Sequence, residues 1–481
     1  MPCALVWFRN DLRLSDHPAL HTAVAQGYTA VPVYIHDEST ADTGAASRWW
    51  LHHSLHALQQ DLQRLGSRLI ILTGDSSAAL LGAARDTGAR TLFWNRRYDP
   101  AGTAQDQQVE AALAAAGIAT QSFSAALLRE PADFGKADGS PYRVFTPFWK
   151  ALQKAGPPRV PLAAPATLPG IEKLPRRGVA LKALGLLPAS GWDRQFYTHW
   201  QPGESTAWNR LQAFLDDALL DYPQDRDRPA LPGTSGLSPH LHFGEITPAR
   251  IWHLAQAWAA GQSRSGAIAA VEAFLRQIAW RDFAHHLLFH FPHLRERPLD
   301  ARYDAFPWAT DYAAALAAWQ HGETGIPVID AGMRQLWRSG WMHNRVRMLC
   351  ASLLTKNLLV PWQQGARWFA DTLVDADVAN NSFGWQWAAG CGADAAPWFR
   401  IFNPVTQGER FDGDGSYVRR WVPELQQLPA QWIHKPWQAP APVLAAAGVT
   451  PGENYPLPII DLAESRTRAL DAWSQVKQQR R

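Results

Sequence analysis

The run from Asp375 to Arg400 concentrates residues able to do chemistry. It reads Asp375-Ala376-Asp377-Val378-Ala379-Asn380-Asn381-Ser382-Phe383-Gly384-Trp385-Gln386-Trp387, crosses a small-residue loop, and continues Asp394-Ala395-Ala396-Pro397-Trp398-Phe399-Arg400. Carboxylates, amides and indoles crowded this closely are costly in a plain core, because each polar group needs a partner once buried. The mixture suits a site that holds a polar aromatic cofactor and moves electrons.

Three further segments have chemical character. Thr234-Ser235-Gly236-Leu237-Ser238-Pro239 leads small hydroxyl residues into Ser-Pro, which fits the N-cap and first turn of a helix. Free backbone N–H groups there suit a diphosphate, although an ordinary capped helix start reads the same way. In Trp341-Met342-His343-Asn344-Arg345-Val346-Arg347-Met348, Asn344 and Met348 share a helical face with Arg347 adjacent, equally readable as a solvated basic face. In Phe274–Phe283, Gln277 and Trp280 share a face at i, i+3, which is also what an amphipathic core helix would show.

Composition narrows the classes. A chain of 481 residues with 47% hydrophobic content holds two or more domains and ample core. No apolar run reaches the ~18 residues of a membrane span, and Met1–Arg9 arrives at charge too early for a signal peptide. Three dispersed cysteines, Cys3, Cys350 and Cys391, argue against a disulfide framework, a zinc site or an all-cysteine iron–sulfur cluster, and point to a reducing cytoplasm. A net charge of +3 permits nucleic acid as a partner without demanding it. Most of the 24 tryptophans read as filling a large core.

The elements that must position these residues come in two textures. Short β-rich runs at Ala4–Phe8, Val31–Ile35, Arg68–Leu72, Thr91–Trp94 and Ile118–Phe123 alternate with helical patterns. The clearest helix has Ser47 as expected N-cap and apolar residues at Leu51, Leu55, Leu58, Leu62 and Leu65. This alternation predicts an α/β domain with a parallel, doubly wound sheet, although no Gly-x-Gly-x-x-Gly or Walker loop signals a nucleotide site. Prolines crowd between Ala155 and Arg177 as in a linker; helical periodicity then dominates, so an all-α domain follows, and Asp461–Arg481 reads as a short basic helix. The expected division is residues 1–128 for the α/β domain, 129–200 for the linker and 201–481 for the helical domain.

In this order and spacing the segments resemble the photolyase/cryptochrome family. The resemblance starts at Trp7-Phe8-Arg9-Asn10-Asp11-Leu12-Arg13, takes in Gly325-x-Pro327-x-Ile329-Asp330-Ala331-x-Met333-Arg334-Gln335-Leu336, and runs to Pro404. Within the family it is most similar to bacterial cyclobutane pyrimidine dimer photolyases. The resemblance implies an antenna role for the first domain and FAD in the helical one. Tyr222 and Thr234, Ser235, Gly236, Leu237 and Ser238 would hold its phosphates and neighbouring groups. Arg347 and Asp375 would pair beside the isoalloxazine, Asp377 would lie by ring and ribose, and Asn381 near N5. Trp280 and Trp387 would clamp a flipped-out dimer, with Gln277, Asn344 and Met348 completing the pocket. Arg226, Arg345 and Arg400 would meet DNA phosphates, and Trp385, Trp362 and Trp308 would carry electrons to the photoexcited flavin.

The implied activity is a deoxyribodipyrimidine photo-lyase: electron transfer from photoexcited reduced FAD splits the dimer in DNA. A cryptochrome-type blue-light photoreceptor and a (6-4) photolyase are the alternatives. The resemblance also implies a monomer without an obligate protein partner. Two departures stand out. Gln277 occupies the place of a usual glutamate, a substitution shared with (6-4) photolyases, whereas Asn344 replaces the second of their paired histidines. Ala101-Gly102 stands where folate-binding relatives have Asn-Glu; the expected antenna is still methenyltetrahydrofolate.

Overall fold

The computed structural model describes residues 2–37, 43–171, 173–395 and 400–478. The β-rich runs become five strands: β1 (Cys3–Phe8), β2 (Thr29–His36), β3 (Ile70–Thr73), β4 (Thr91–Asn95) and β5 (Ala119–Phe123). They form one sheet in the order β3-β2-β1-β4-β5. Every pairing is parallel, with Leu5 opposite Val31 on one side and Leu92 on the other. Helices Pro18–Ala25, Ala45–Arg64, Ser76–Thr87 and Pro100–Ala115 make the crossovers. Strands covered on both faces need near-continuous apolar runs, which explains why Ala4 to Phe8 are all buried.

The helix expected to be capped by Ser47 starts three residues earlier. Ala45 and Ala46 are strong helix formers and extend it, so the cap is Gly44, without a side-chain bond, and Ser47 is buried in the first turn. Likewise Ser238 is the first residue of the short helix Ser238–His242, not its cap; Leu237 takes that place. Ser235 Oγ accepts the Leu237 N–H at 3.4 Å, which makes a turn ahead of the helix. At the other end, Asp461 Oδ1 accepts the N–H groups of Ala463 and Glu464, both at 2.8 Å, and starts helix Leu462–Gln478.

The chain forms two compact units, Met1–Gly191 with Trp200–Leu220 and Ser235–Pro292, and Trp192–His199 with Asp221–Thr234 and His293–Arg481. In the first, the proline-rich stretch and the residues after it are tied down by backbone bonds from Leu168 to Leu65 (2.8 Å), at the end of helix Ala45–Arg64, and from Val179 to Ile71 (2.9 Å) in β3. The long helix Ala267–His290 belongs to this unit and packs on helices Phe145–Lys154 and Pro248–Ala260.

The second unit is helical around one core that includes Trp319, Met342, Trp362, Trp385 and Tyr455. The Gly325–Leu336 motif proves to be scaffolding. Asp330, fully buried, accepts from Thr324 N–H (2.7 Å), Thr324 Oγ1 (2.6 Å), Gly325 N–H (3.0 Å) and Tyr455 OH (2.7 Å). Four donors offset the loss of water around a carboxyl group that burial pushes toward its neutral form.

Candidate active site

In the second unit the Asp375–Arg400 run folds as a turn followed by helix Val378–Ala389. Val374 N–H donates to Gly340 O at 2.8 Å and brings the turn beside the residues that lead into helix Asn344–Ser352. There Arg347 Nη2 meets both oxygens of Asp375, at 3.0 and 2.8 Å, while its Nε donates to Met342 O at 2.7 Å. The Asp375 side chain is almost fully buried, so the guanidinium is its compensating charge.

Asp377 caps the next helix: Oδ1 accepts from Asn380 N–H at 2.8 Å and from Asn380 Nδ2 at 2.6 Å. Asn381 follows one residue later and donates Nδ2 to Ala366 O at 2.9 Å. That bond orients the amide and leaves Oδ1 as an acceptor with no hydrogen-bond partner among the described residues.

Asn344, exposed, and Met348, half-buried, share one helical face, with Asn344 Nδ2 3.9 Å from Met348 Sδ. His343 caps the same helix by accepting the Arg345 N–H on Nδ1 at 3.1 Å. Burial drives its pKa down to about 4, so the ring is neutral at physiological pH. Arg345 is tied down on two sides: Nη2 lies 2.7 Å from Asp227 Oδ2, and the guanidinium sits 4.4 Å over the Phe411 ring. Arg226 lies 5.4 Å over the buried Tyr222 ring. Arg400 is exposed, and its carbonyl accepts from Nζ of the fully buried Lys356 at 3.0 Å.

The three tryptophans of the expected electron chain are graded in burial. Trp385 and Trp362 are 2% exposed, whereas Trp308 is half-buried at the edge of the same core. Trp385 packs edge-on to Phe369 (5.0 Å) and Trp319 (6.0 Å). A Cβ at residue 365 would lie 2.0 Å from its ring, so only Gly365 permits this seat. Trp387, two residues on, is half-buried. Residues 396–399, including Trp398, lie outside the described residues.

The first unit holds Ser235, Gly236, Leu237, Ser238, Gln277 and Trp280. Gln277 and Trp280 are both half-buried on helix Ala267–His290. Phe145 lies face to face with Trp280, and Arg276 stands 5.3 Å over the Phe145 ring. Phe145, Asp227 and Lys356 are partners that local patterns do not reveal. Asp227 alone left a trace, in the alternating charges of Asp225-Arg226-Asp227-Arg228.

Residues 4–166 match the family described as DNA photolyase, and residues 274–475 match the FAD binding domain of DNA photolyase. The chain belongs to the photolyase/cryptochrome family. A deoxyribodipyrimidine photo-lyase of Agrobacterium fabrum is 49% identical over 98% of each chain. Cryptochrome-1 of Arabidopsis thaliana is 39% identical over 99% of this chain and 71% of its own length. A bacterial class III photolyase of Agrobacterium tumefaciens, solved by crystallography, superposes with a TM-score of 0.96 at 49% identity, covering 99% of this chain and 98% of its own.

As in the family, the helical part binds FAD. The residues present fit that group. Asn381 Oδ1 is an oriented acceptor without a partner among the described residues, suited to a flavin N–H. A guanidinium–carboxylate pair of fixed geometry stands on the neighbouring helix and turn.

Proposed function

We propose that this chain repairs cyclobutane pyrimidine dimers in DNA with light absorbed by its FAD. The observation that carries the reading is Gln277. Its amide makes no hydrogen bond with any described residue, although the side chain is half-buried one turn from Trp280. A part-buried amide with no partner among the described residues keeps its donors and acceptor available to a ligand.

Enzymes that do chemistry on a base take it out of the stack, photolyases among them. A flipped pair of pyrimidines needs apolar walls and polar edges. In the roles proposed, Trp280, Trp387 and Met348 offer apolar surface to the pyrimidines, and the amides of Gln277 and Asn344 offer donors and acceptors to their carbonyl and imide edges. Bound FAD supplies the electron that opens the cyclobutane ring. Trp385, Trp362 and Trp308 relay electrons inward, in keeping with their graded burial. Arg347 and Asp375 present a fixed charge pair to the ring system, Asp377 serves ring and ribose, and Asn381 accepts near N5. Tyr222 and Thr234 to Ser238 serve the phosphates. Arg226, Arg345 and Arg400 answer DNA phosphates, a contact that gives affinity without reading sequence.

His343 supports dimer repair over (6-4) repair. The imidazole is neutral, its Nδ1 is engaged in capping, and its neighbour is Asn344 where (6-4) enzymes are expected to carry a second histidine.

The functional division proposed is residues 1–128 for the antenna, 129–200 for the linker and 201–481 for FAD and DNA, in a cytoplasmic monomer. No described helix is long and apolar enough to cross a membrane. The proposed antenna is methenyltetrahydrofolate, bound otherwise than through residues 101 and 102. A side chain at Gly102 would meet Arg97 and Asp99 at 2.6–2.7 Å.

The likeness to a plant cryptochrome supports a second reading, a photoreceptor that repairs nothing. The deciding experiment mixes photoreduced protein with dimer-containing DNA under blue light. Recovery of intact thymines establishes the enzyme; stable binding without recovery establishes the receptor.

A further inference from the structure

The Ser235–Ser238 turn has a cation beside it that its own residues do not contain. Arg210 lies on helix Glu204–Asp217, in the same compact unit as the turn. Its guanidinium sits 4.9 Å over the Trp200 ring. Nη1 is 2.6 Å from the point a Cβ would occupy on Gly236. Gly236 has φ +60, the left-handed region, so the tip of the turn is bare backbone and the guanidinium lies where a side chain would start.

Arg210 makes no ion pair and no hydrogen bond with any described residue, yet it is half-buried. The other buried and half-buried arginines of this unit behave differently, unlike the exposed Arg276. Arg13 donates to the carbonyls of Asp16 and Gly244, Arg250 to Leu162, and Arg281 to Ala126. A guanidinium has five N–H donors and stays charged in proteins. Taking it part-way out of water with only an aromatic face for company is unfavourable, and the direction of its pKa, lowered by burial alone, reports the same strain. An anion is the ligand such a group is built to receive, and its planar fork matches two phosphate oxygens at once.

We propose that Arg210 is the cation that grips the FAD diphosphate at the Ser235–Ser238 turn, working with the Ser235 and Ser238 hydroxyls. This rests on the reading of the chain as an FAD-dependent photolyase. Gly236 is then needed for two reasons: the turn's φ, and the space the guanidinium occupies.

The test dilutes the holoprotein and follows FAD release by free-flavin fluorescence in wild type, Arg210→Gln and Arg210→Lys. Release from Arg210→Gln should be about ten- to a hundredfold faster, the usual worth of a hydrogen bond to a charged group. Arg210→Lys should fall between, since it keeps the charge and loses the fork. Added salt should speed release from wild type more than from Arg210→Gln, because screening acts on the charge that the variant lacks. Thermal unfolding of the flavin-stripped proteins should be the same for wild type and variant, which separates cofactor grip from fold. Unchanged release from Arg210→Gln, with the stripped variant melting earlier, would overturn the proposal and make Arg210 a packing residue on Trp200. If Arg210→Gln does not fold, Arg210→Met keeps the apolar stem on Trp200 without the charge and is read by the same two outcomes. A wild-type protein that holds no flavin sinks the parent reading instead.

Discussion

Phe145 lies flat against Trp280, with ring centroids 3.6 Å apart and planes within 8° of parallel. Phe145 is fully buried and Trp280 half-buried, so one face of the indole is held by protein. An indole clamped on one face is preorganised to stack on the other, which lowers the ordering cost of binding a flipped pyrimidine pair.

Phe145→Leu should therefore weaken binding of dimer-containing DNA by about two- to tenfold, the range of an aromatic pair. Affinity for undamaged DNA should be unchanged, and so should repair per bound dimer at saturating DNA. Filter binding and single-turnover repair separate the two. Equal weakening on both DNAs would show that Phe145 supports the fold and not the indole.

Trp385→Phe should abolish light-driven flavin reduction yet repair normally once the flavin is reduced chemically. Trp385 is buried among Phe369, Trp319 and Gly365, whereas Asn344 is exposed. Loss of both activities together, with a lowered melting temperature, would indicate that the smaller ring fails to fill the seat.

Arg345 and Asp227 should act in opposite directions on DNA. Arg345→Ala should lower affinity for damaged and undamaged DNA alike and flatten the salt dependence by about one unit. Asp227→Asn should tighten binding, because it removes a carboxylate 2.7 Å from that guanidinium. Titrations at several salt concentrations check both, and a salt slope unmoved by Arg345→Ala would place Arg345 away from the phosphates.

Gln277→Glu should leave dimer repair intact or improve it, since a protonated carboxyl stabilises a radical anion better than a neutral amide. It should not create (6-4) repair, because Asn344 remains where a proton-transferring histidine is expected. Paired assays on DNA carrying each lesion separately decide this; efficient wild-type action on the (6-4) lesion alone would reverse the substrate assignment.

Lys356 should leave a signature in stability against pH. Burial first, and the Arg400 charge second, hold its pKa down to about 7 against an ordinary 10.5. Between those values the unfolded chain binds the proton and the folded one does not, so this group makes stability rise with pH across that window. Below about pH 7 both states are protonated and the contribution is flat. Lys356→Met should be more stable than wild type at neutral pH and lack the rise. Denaturant melts from pH 6.5 to 10 test it, and parallel curves for the two proteins would show that Lys356 is not desolvated as described.

The strand and helix alternation, the helical second half and the final helix were all legible in the sequence, because apolar period is a local property of neighbouring residues. The pairing of Asn344 with Met348 was legible for the same reason, being one helical turn. The family resemblance carried the remaining site residues, but it did not distinguish working side chains from scaffolding: Asp330, in a family motif, is enclosed by four donors inside the core. Where a cap could move by one to three residues, as at Ser238 and Ser47, helix propensity and the preceding turn overrode the expected residue. Tertiary structure alone set Phe145 behind Trp280, Asp227 against Arg345, and Arg210 over Gly236. Each joins residues distant along the chain, and such contacts depend on how whole helices pack, which no local period encodes. They are the contacts that fix the plane of an indole, occupy a guanidinium or leave one waiting for an anion.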